Sequence, residues 1–259
     1  EFDRNNDTAK AKKYIQEAAD IINNKNLSEV RTKDLSKFYF YQGKINLGIA
    51  LSPIASTSAL DPDALTKAAN AFQKLIALEK QEGKERYSGG AKTSMYEIAN
   101  AYINKGIVAN DAKNFKEAYA NFYKAYQFKL ANDIGTDTTM LYNAALMAQS
   151  AEDYESAIAR TEELVEMGYK GLQFSATNTS TGSKQEFANR NEMLRAIQMP
   201  GELYVDPVVE GDLRPDLYVS LANLHKKTGD TTQFDIVVSE GRSMFPGNKS
   251  LLLLELQKY

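Results

Sequence analysis

DTTMLYNAALMAQSAEDYESAIARTEELVEMG, from Asp137 to Gly168, reads as two short helices folded back to back. Asp137 is a helix N-cap candidate, because its carboxylate can accept from the free N–H groups of a first turn. Leu141, Ala144, Ala145 and Ala148 then recur on one helical face. Ser150–Asp153 is a short connector, and Asp153 can cap a second helix. That helix carries Ala157, Ile158, Thr161, Leu164 and Val165 on its inner stripe. Gly168 stands where a left-handed residue closes the helix. Ala145 and Ala157 sit where the two axes must come close, and a larger side chain there would push them apart.

This pattern resembles the tetratricopeptide repeat, a helix–turn–helix unit of about 34 residues. In that family, large residues stand at positions 4, 11 and 24 and small ones at 8, 20 and 27. Here Leu141 falls at 4, Ala145 at 8, Tyr154 at 17 and Ala157 at 20, with no gap. Thr161 at 24 and Leu164 at 27 depart from the usual choices. A second ungapped match runs from Pro215, with Tyr218, Ala222 and His225 at 4, 8 and 11. It continues with Phe234, Val238 and Gly241 at 20, 24 and 27, and Pro246 at 32.

Two stretched copies precede these. One has Tyr39 and Gly43 at 4 and 8, and Ala68, Phe72 and Leu75 at 20, 24 and 27. The other has Met95, Ala99 and Tyr102 at 4, 8 and 11, and Ala118, Phe122 and Ala125 at 20, 24 and 27. In the second copy the key residues of the two helices stand about two turns too far apart, so either the helices are longer or the turn carries an insertion.

The resemblance implies one all-α solenoid domain, 1–259, with repeats near 34–80, 92–130, 137–168 and 215–247. A capping helix, 249–259, starts at Asn248 and covers the last apolar face. An amphipathic helix, Asp7–Asn24, comes first, with Ala11, Tyr14, Ile15, Ala18 and Ile22 on its apolar stripe. The insert, 169–214, breaks the pattern. Gln173–Ala176 and Lys184–Phe187 flank Asn-Thr-Ser-Thr-Gly and predict a small β-hairpin near 172–188. The stretch Pro200–Pro215 is extended and carries three prolines. This layout is similar to secreted tetratricopeptide proteins of the Bacteroidetes type. It implies a periplasmic or secreted location, the alternative being cytoplasmic. Glu1-Phe2 in place of an initiator Met leads us to expect a cleaved or omitted leader.

Composition narrows the function classes. Net charge is −3 with pI near 5.5, so no basic footprint points to nucleic acid. The longest apolar run, Leu251–Leu254, is far below the roughly 18 residues of a membrane span. Cys is absent, which excludes disulfides and thiol catalysis. No cofactor or metal site is expected. His225 is the one histidine, and its slot predicts a packed, hydrogen-bonded side chain rather than a catalytic base. Ser88-Gly-Gly-Ala-Lys-Thr93 resembles part of a phosphate-binding loop but lacks the preceding strand and the full glycine spacing. Glu162, Glu163 and Glu166 read as a solvated helix face, with no second cluster to pair with. Phe115, Tyr119, Phe122 and Tyr126 recur at helical spacing and read as core.

No catalytic set emerges, so the chain reads as non-enzymatic. In the family, partners lie along the first helices, at positions 2, 5, 6, 9, 12 and 13. Those slots nominate Tyr96, Asn100 and Asn104 from the second repeat, and Tyr142, Asn143, Leu146 and Gln149 from the third. The last repeat adds Val219, Asn223, Lys226 and Lys227. Asn both donates and accepts, and Tyr couples apolar area to a polar tip. This surface suits an extended peptide of a protein partner. Position 5 holds Tyr96, Tyr142 and Val219 and no Lys, which argues against a carboxylate clamp. The alternative is a small-molecule or glycan-binding protein of the cell envelope, weakened by the absence of Trp.

Overall fold

The computed structural model describes residues 5–24, 30–187 and 190–258. Ala188 and Tyr259, the last residues of the expected hairpin and capping helix, lie outside that set. Paired helices and one small antiparallel sheet make up the described chain, a helical-repeat architecture with a β insert. It divides into two compact units, Glu1–Lys113 with Ala120–Asp137, and Asn114–Tyr119 with Thr138–Tyr259.

The first unit holds α1 (Asn5–Asn23), α2 (Thr32–Ala50), a single turn α3 (Ala55–Ser58), α4 (Ala64–Glu82), α5 (Ser88–Asp111) and most of α6 (Phe115–Ala131). Ala11 and Ile15 of α1 pack on Ile45, Ile49 and Ala64. Tyr14, placed on that stripe by periodicity, is instead 66% exposed. The segment before α4 carries the turn α3 and ends at the buried carboxylate of Asp61. That carboxylate lies 2.7 Å from Lys67 and 3.4 Å from Lys12 and accepts from the Asp63 N–H, which fixes the start of α4.

Two glycine–phenylalanine pairs set the helix approach in this unit. A Cβ on Gly43 would lie 2.4 Å from the Phe72 ring, and one on Gly106 2.7 Å from the Phe122 ring. Gly106, and not the expected Ala99, is thus the small residue against Phe122. It stands twelve residues before Ala118, the spacing that separates Ala145 from Ala157. The extra two turns seen in the sequence belong to α5 itself, and the α5–α6 connection is only residues 112–114.

The polar loop expected over Gln81–Gly90 is shorter, because α4 runs to Glu82 and α5 begins at Ser88. The cause is Glu79. Its fully buried carboxylate accepts from the N–H groups of Arg86, Tyr87 and Ser88 and from the Ser88 hydroxyl at 2.5 Å. Tyr87, the local N-cap, offers no side-chain bond, so the cap comes from the preceding helix. Ser88, the first residue of the stretch that resembled a phosphate loop, thus has both its N–H and its hydroxyl taken by an internal carboxylate.

The second unit holds α7 (Thr138–Ser150), α8 (Tyr154–Glu166), the strands β1 (Gln173–Asn178) and β2 (Lys184–Phe187), α9 (Arg190–Ile197), β3 (Tyr204–Glu210), α10 (Arg214–Thr228), α11 (Thr231–Met244) and α12 (Lys249–Glu255). Asp153, Asp230 and Asn248 each accept from the N–H three residues on, capping α8, α11 and α12. Asp137, just before α7, accepts from Lys129 at 2.8 Å. Gly168 adopts φ 63° and closes α8 as expected. Tyr218, Ala222, Phe234, Val238, Leu251 and Leu254 form one core, so α12 covers the last hairpin. Ala148, Ala157 and Leu224 form another, with Tyr119 and Tyr154 against it.

The insert carries three strands in the order β2-β1-β3, one more than the sequence predicts. The third comes from the proline-bearing stretch. It pairs antiparallel with β1, and the register shifts between Ser175 and Thr177 to accommodate Asp206 and Pro207. At the foot of the sheet Gly171 and Gly211 adopt φ of 59° and 109°. A Cβ on Gly211 would lie 3.0 Å from the Gly171 carbonyl. The Leu213 N–H donates to Lys170, which returns the chain to the start of α10.

Candidate functional site

In the second unit α7 and α10 form two walls of a cleft, and α8 lies beneath them. Tyr142, Ala145, Leu146 and Gln149 project from α7, and Asp216, Leu217 and Ser220 from α10. Thr161 of α8 makes the floor, and Leu213, at the return from the insert, closes one end. About 340 Å³ of space not filled by protein atoms lies in and over the cleft, open solvent included. Ser220 Oγ donates to Gln149 Oε1 at 3.3 Å across the gap.

The space follows from side-chain size. Position 24 carries Phe72, Phe122 and Val238 in the other hairpins, but Thr161 here. Opposite Thr161, position 8 is Ala145, not the glycine that meets each phenylalanine in the first unit. Thr161 is buried and its hydroxyl donates to the Ala157 carbonyl at 2.7 Å, so it is satisfied within its own helix. Two small side chains face each other, and the volume a phenyl ring would take stays open.

Tyr142 forms the polar shoulder. Its ring lies 5.6 Å from that of Tyr169. Burial raises its pKa above the ordinary tyrosine value, and the charge of Asp216 raises it further. The hydroxyl therefore stays protonated and can donate at neutral pH.

The structure brings Tyr142, Leu146 and Gln149 together in this cleft and leaves the other sequence candidates elsewhere. Asn143 is half-buried on α7 and Asn223 is exposed on α10. Lys226 donates to Gln257 at 2.8 Å, Lys227 lies 5.1 Å above the Tyr154 ring, and Val219 packs against the core of the last hairpin. In the first unit Asn100 and Asn104 are exposed on α5. Tyr96 lines a broad cleft of about 1700 Å³ with Lys80, Lys84 and Lys92, which also holds the carboxylates Glu79, Glu85 and Asp133. A second groove there, lined by Phe40, Tyr41, Lys44, Gly48, Leu51 and Glu97, held no sequence candidate.

Asp216, Ser220, Leu213 and Leu217 were missed in the second unit. Asp216 and Ser220 fall at positions 2 and 6 of the last hairpin, so the slot rule applied in full would have found them. Leu213 carries no such signal, because it enters from the insert.

The sequence's other motifs are structural. His225 is 4% exposed, but Nε2 has no hydrogen-bond partner and lies 3.9 Å from Glu162 Oε1. At Nε2 this differs from the expected hydrogen-bonded ring. Glu163 pairs with Arg160 at 3.3 Å. Phe122 and Tyr126 are buried, and Phe115 and Tyr119 half-buried. Among the described residues no cluster of three His, Asp or Glu side chains could hold a metal ion, and no helix is long and apolar enough to cross a membrane.

Solved structures that the chain matches include aspartyl phosphate phosphatase F from Bacillus subtilis, at 14% identity and a TM-score of 0.35. The match covers 94% of this chain and 48% of that one, so the chain spans about half the phosphatase's length. BtubC (BKLC) from P. vanneervenii matches at 12% identity and a TM-score of 0.34, covering 93% of this chain and 91% of that one. No family model and no curated protein matches the chain.

Proposed function

We propose that this chain is a tetratricopeptide-type scaffold that catalyses no reaction and holds an extended segment of a protein partner against its first helices. The observation that carries the reading is the α7–α10 cleft. Three of the residues that the repeat pattern nominates, Tyr142, Leu146 and Gln149, line one space between two first helices. Its chemistry is that of a peptide site: apolar walls, a tyrosine hydroxyl, and an amide and a hydroxyl able to bond a peptide backbone. The envelope location implied by the layout is part of the same proposal.

The test is site-specific photo-cross-linking in the source cells, with the photoreactive side chain at Leu146 and a control at the exposed Glu155. A discrete protein adduct is expected at Leu146 and not at Glu155. The Tyr142→Ala, Gln149→Ala double variant should lower its yield about tenfold, the effect of losing roughly 1.4 kcal/mol of contact. A reproducible thermal shift with a sugar or metabolite, and no adduct at Leu146, would replace this reading with the small-ligand alternative.

A further inference from the structure

We propose that the α7–α10 cleft is selective for a cationic side chain, arginine or lysine, of the bound segment. This rests on the peptide-scaffold reading and names what the partner must present. Asp216 supplies the charge. Among the described residues no ion pair or hydrogen bond reaches its carboxylate. The nearest cation in sequence, Arg214, is committed elsewhere: it grips Asp212 through two bonds of 2.8 and 2.6 Å and lies 5.4 Å from the Phe245 ring. That grip holds the Asp212 carboxyl down at about 2. None of the nine residues lining the cleft is basic, so the one full charge at its rim is the exposed carboxylate of Asp216, in the first turn of α10.

The remaining lining fits the stem of such a side chain. Leu146, Leu213 and Leu217 offer apolar walls for methylenes, while the head group reaches the carboxylate at the rim. The Tyr142 ring offers a face for a cation, and Gln149 Oε1 a further acceptor. An acidic or phosphorylated side chain would meet like charge without a single compensating donor group of full positive charge.

The full chain, labelled at leucine methyls, is titrated with four acetylated tripeptide amides, Gly-X-Gly, where X is arginine, lysine, citrulline or glutamate. Arginine and lysine should shift the Leu146, Leu213 and Leu217 methyls saturably and bind about threefold to fivefold more tightly than citrulline and glutamate, as a pair to an exposed carboxylate supplies. Asp216→Asn should erase that preference with the melting temperature retained, and Asp216→Lys should turn it toward glutamate. Citrulline shifting the same methyls as tightly as arginine would overturn the cationic selectivity and leave the peptide groove standing. A preference that survives Asp216→Asn would overturn the role of this carboxylate. No shift with any of the four peptides would overturn both selectivity and groove.

Discussion

Thr161 shows how much one side chain decides. Where position 24 carries phenylalanine, its ring presses on a glycine, as Phe72 does on Gly43 and Phe122 on Gly106. Where it carries threonine, opposite Ala145, a cleft remains. Thr161→Leu should fill that floor. It strands no polar group, since the lost hydroxyl bonds only the Ala157 carbonyl of its own helix, which keeps its backbone donor. Stability should therefore change by less than about 1 kcal/mol, a smaller cost than overpacking a closed core. Peptide binding at the cleft should be lost. Chemical denaturation and the methyl titration read the two effects separately, and retained binding would place the occupied space elsewhere. The sequence already marked Thr161 as an odd choice. It could not show that the oddity was a cavity, because that needs the identity of the facing residue and the approach of the helices together.

At the scale of elements, the helices were legible and their ends less so. Asp153, Asp230 and Asn248 cap their own helices, so local pattern found those starts. The start of α5 was invisible because its cap, Glu79, lies in another helix, nine residues back from Ser88. Burial alone would raise the Glu79 pKa. The bonds from the Ser88 hydroxyl and the N–H groups of Tyr87, Arg86 and Ser88 more than offset it and leave the pKa below the ordinary glutamate value. A carboxyl depressed in the folded state adds stability above its unfolded pKa, near 4.3, and that stability drains as pH falls through the lower folded value. Glu79→Gln should lose about 1–3 kcal/mol at neutral pH, because a neutral amide replaces a carboxylate taking four donors. Its stability should also fall less steeply below pH ~4 than the parent's. Melting curves from pH 7 to 3 check both, and parallel curves would show that the charge of Glu79 is not what holds the α5 terminus.

For the whole molecule, hydrophobic spacing gave the number and pairing of the hairpins, but not the division into two units. That boundary falls inside α6, which contributes residues to both, and a continuous helix carries no proline, glycine or charge signal at such a point. The third strand was hidden for a related reason: Pro207 and the two prolines flanking the stretch read as strand breakers. The irregularity has a use. Val208 and Val209 lie on the outer strand of the sheet, 41% and 48% exposed, beside Asp206 at φ 50° and Pro207. A neighbouring chain that adds a strand needs an even row of N–H and C=O groups; proline lacks the N–H, and a left-handed residue turns the row aside. Pro207→Val should therefore raise self-association, seen as concentration-dependent light scattering, and a variant that stays as dispersed as the parent would deny the edge this role. In colloidal terms, Pro207, which obscured β3 in the sequence, is also the residue expected to keep this edge of the sheet from growing.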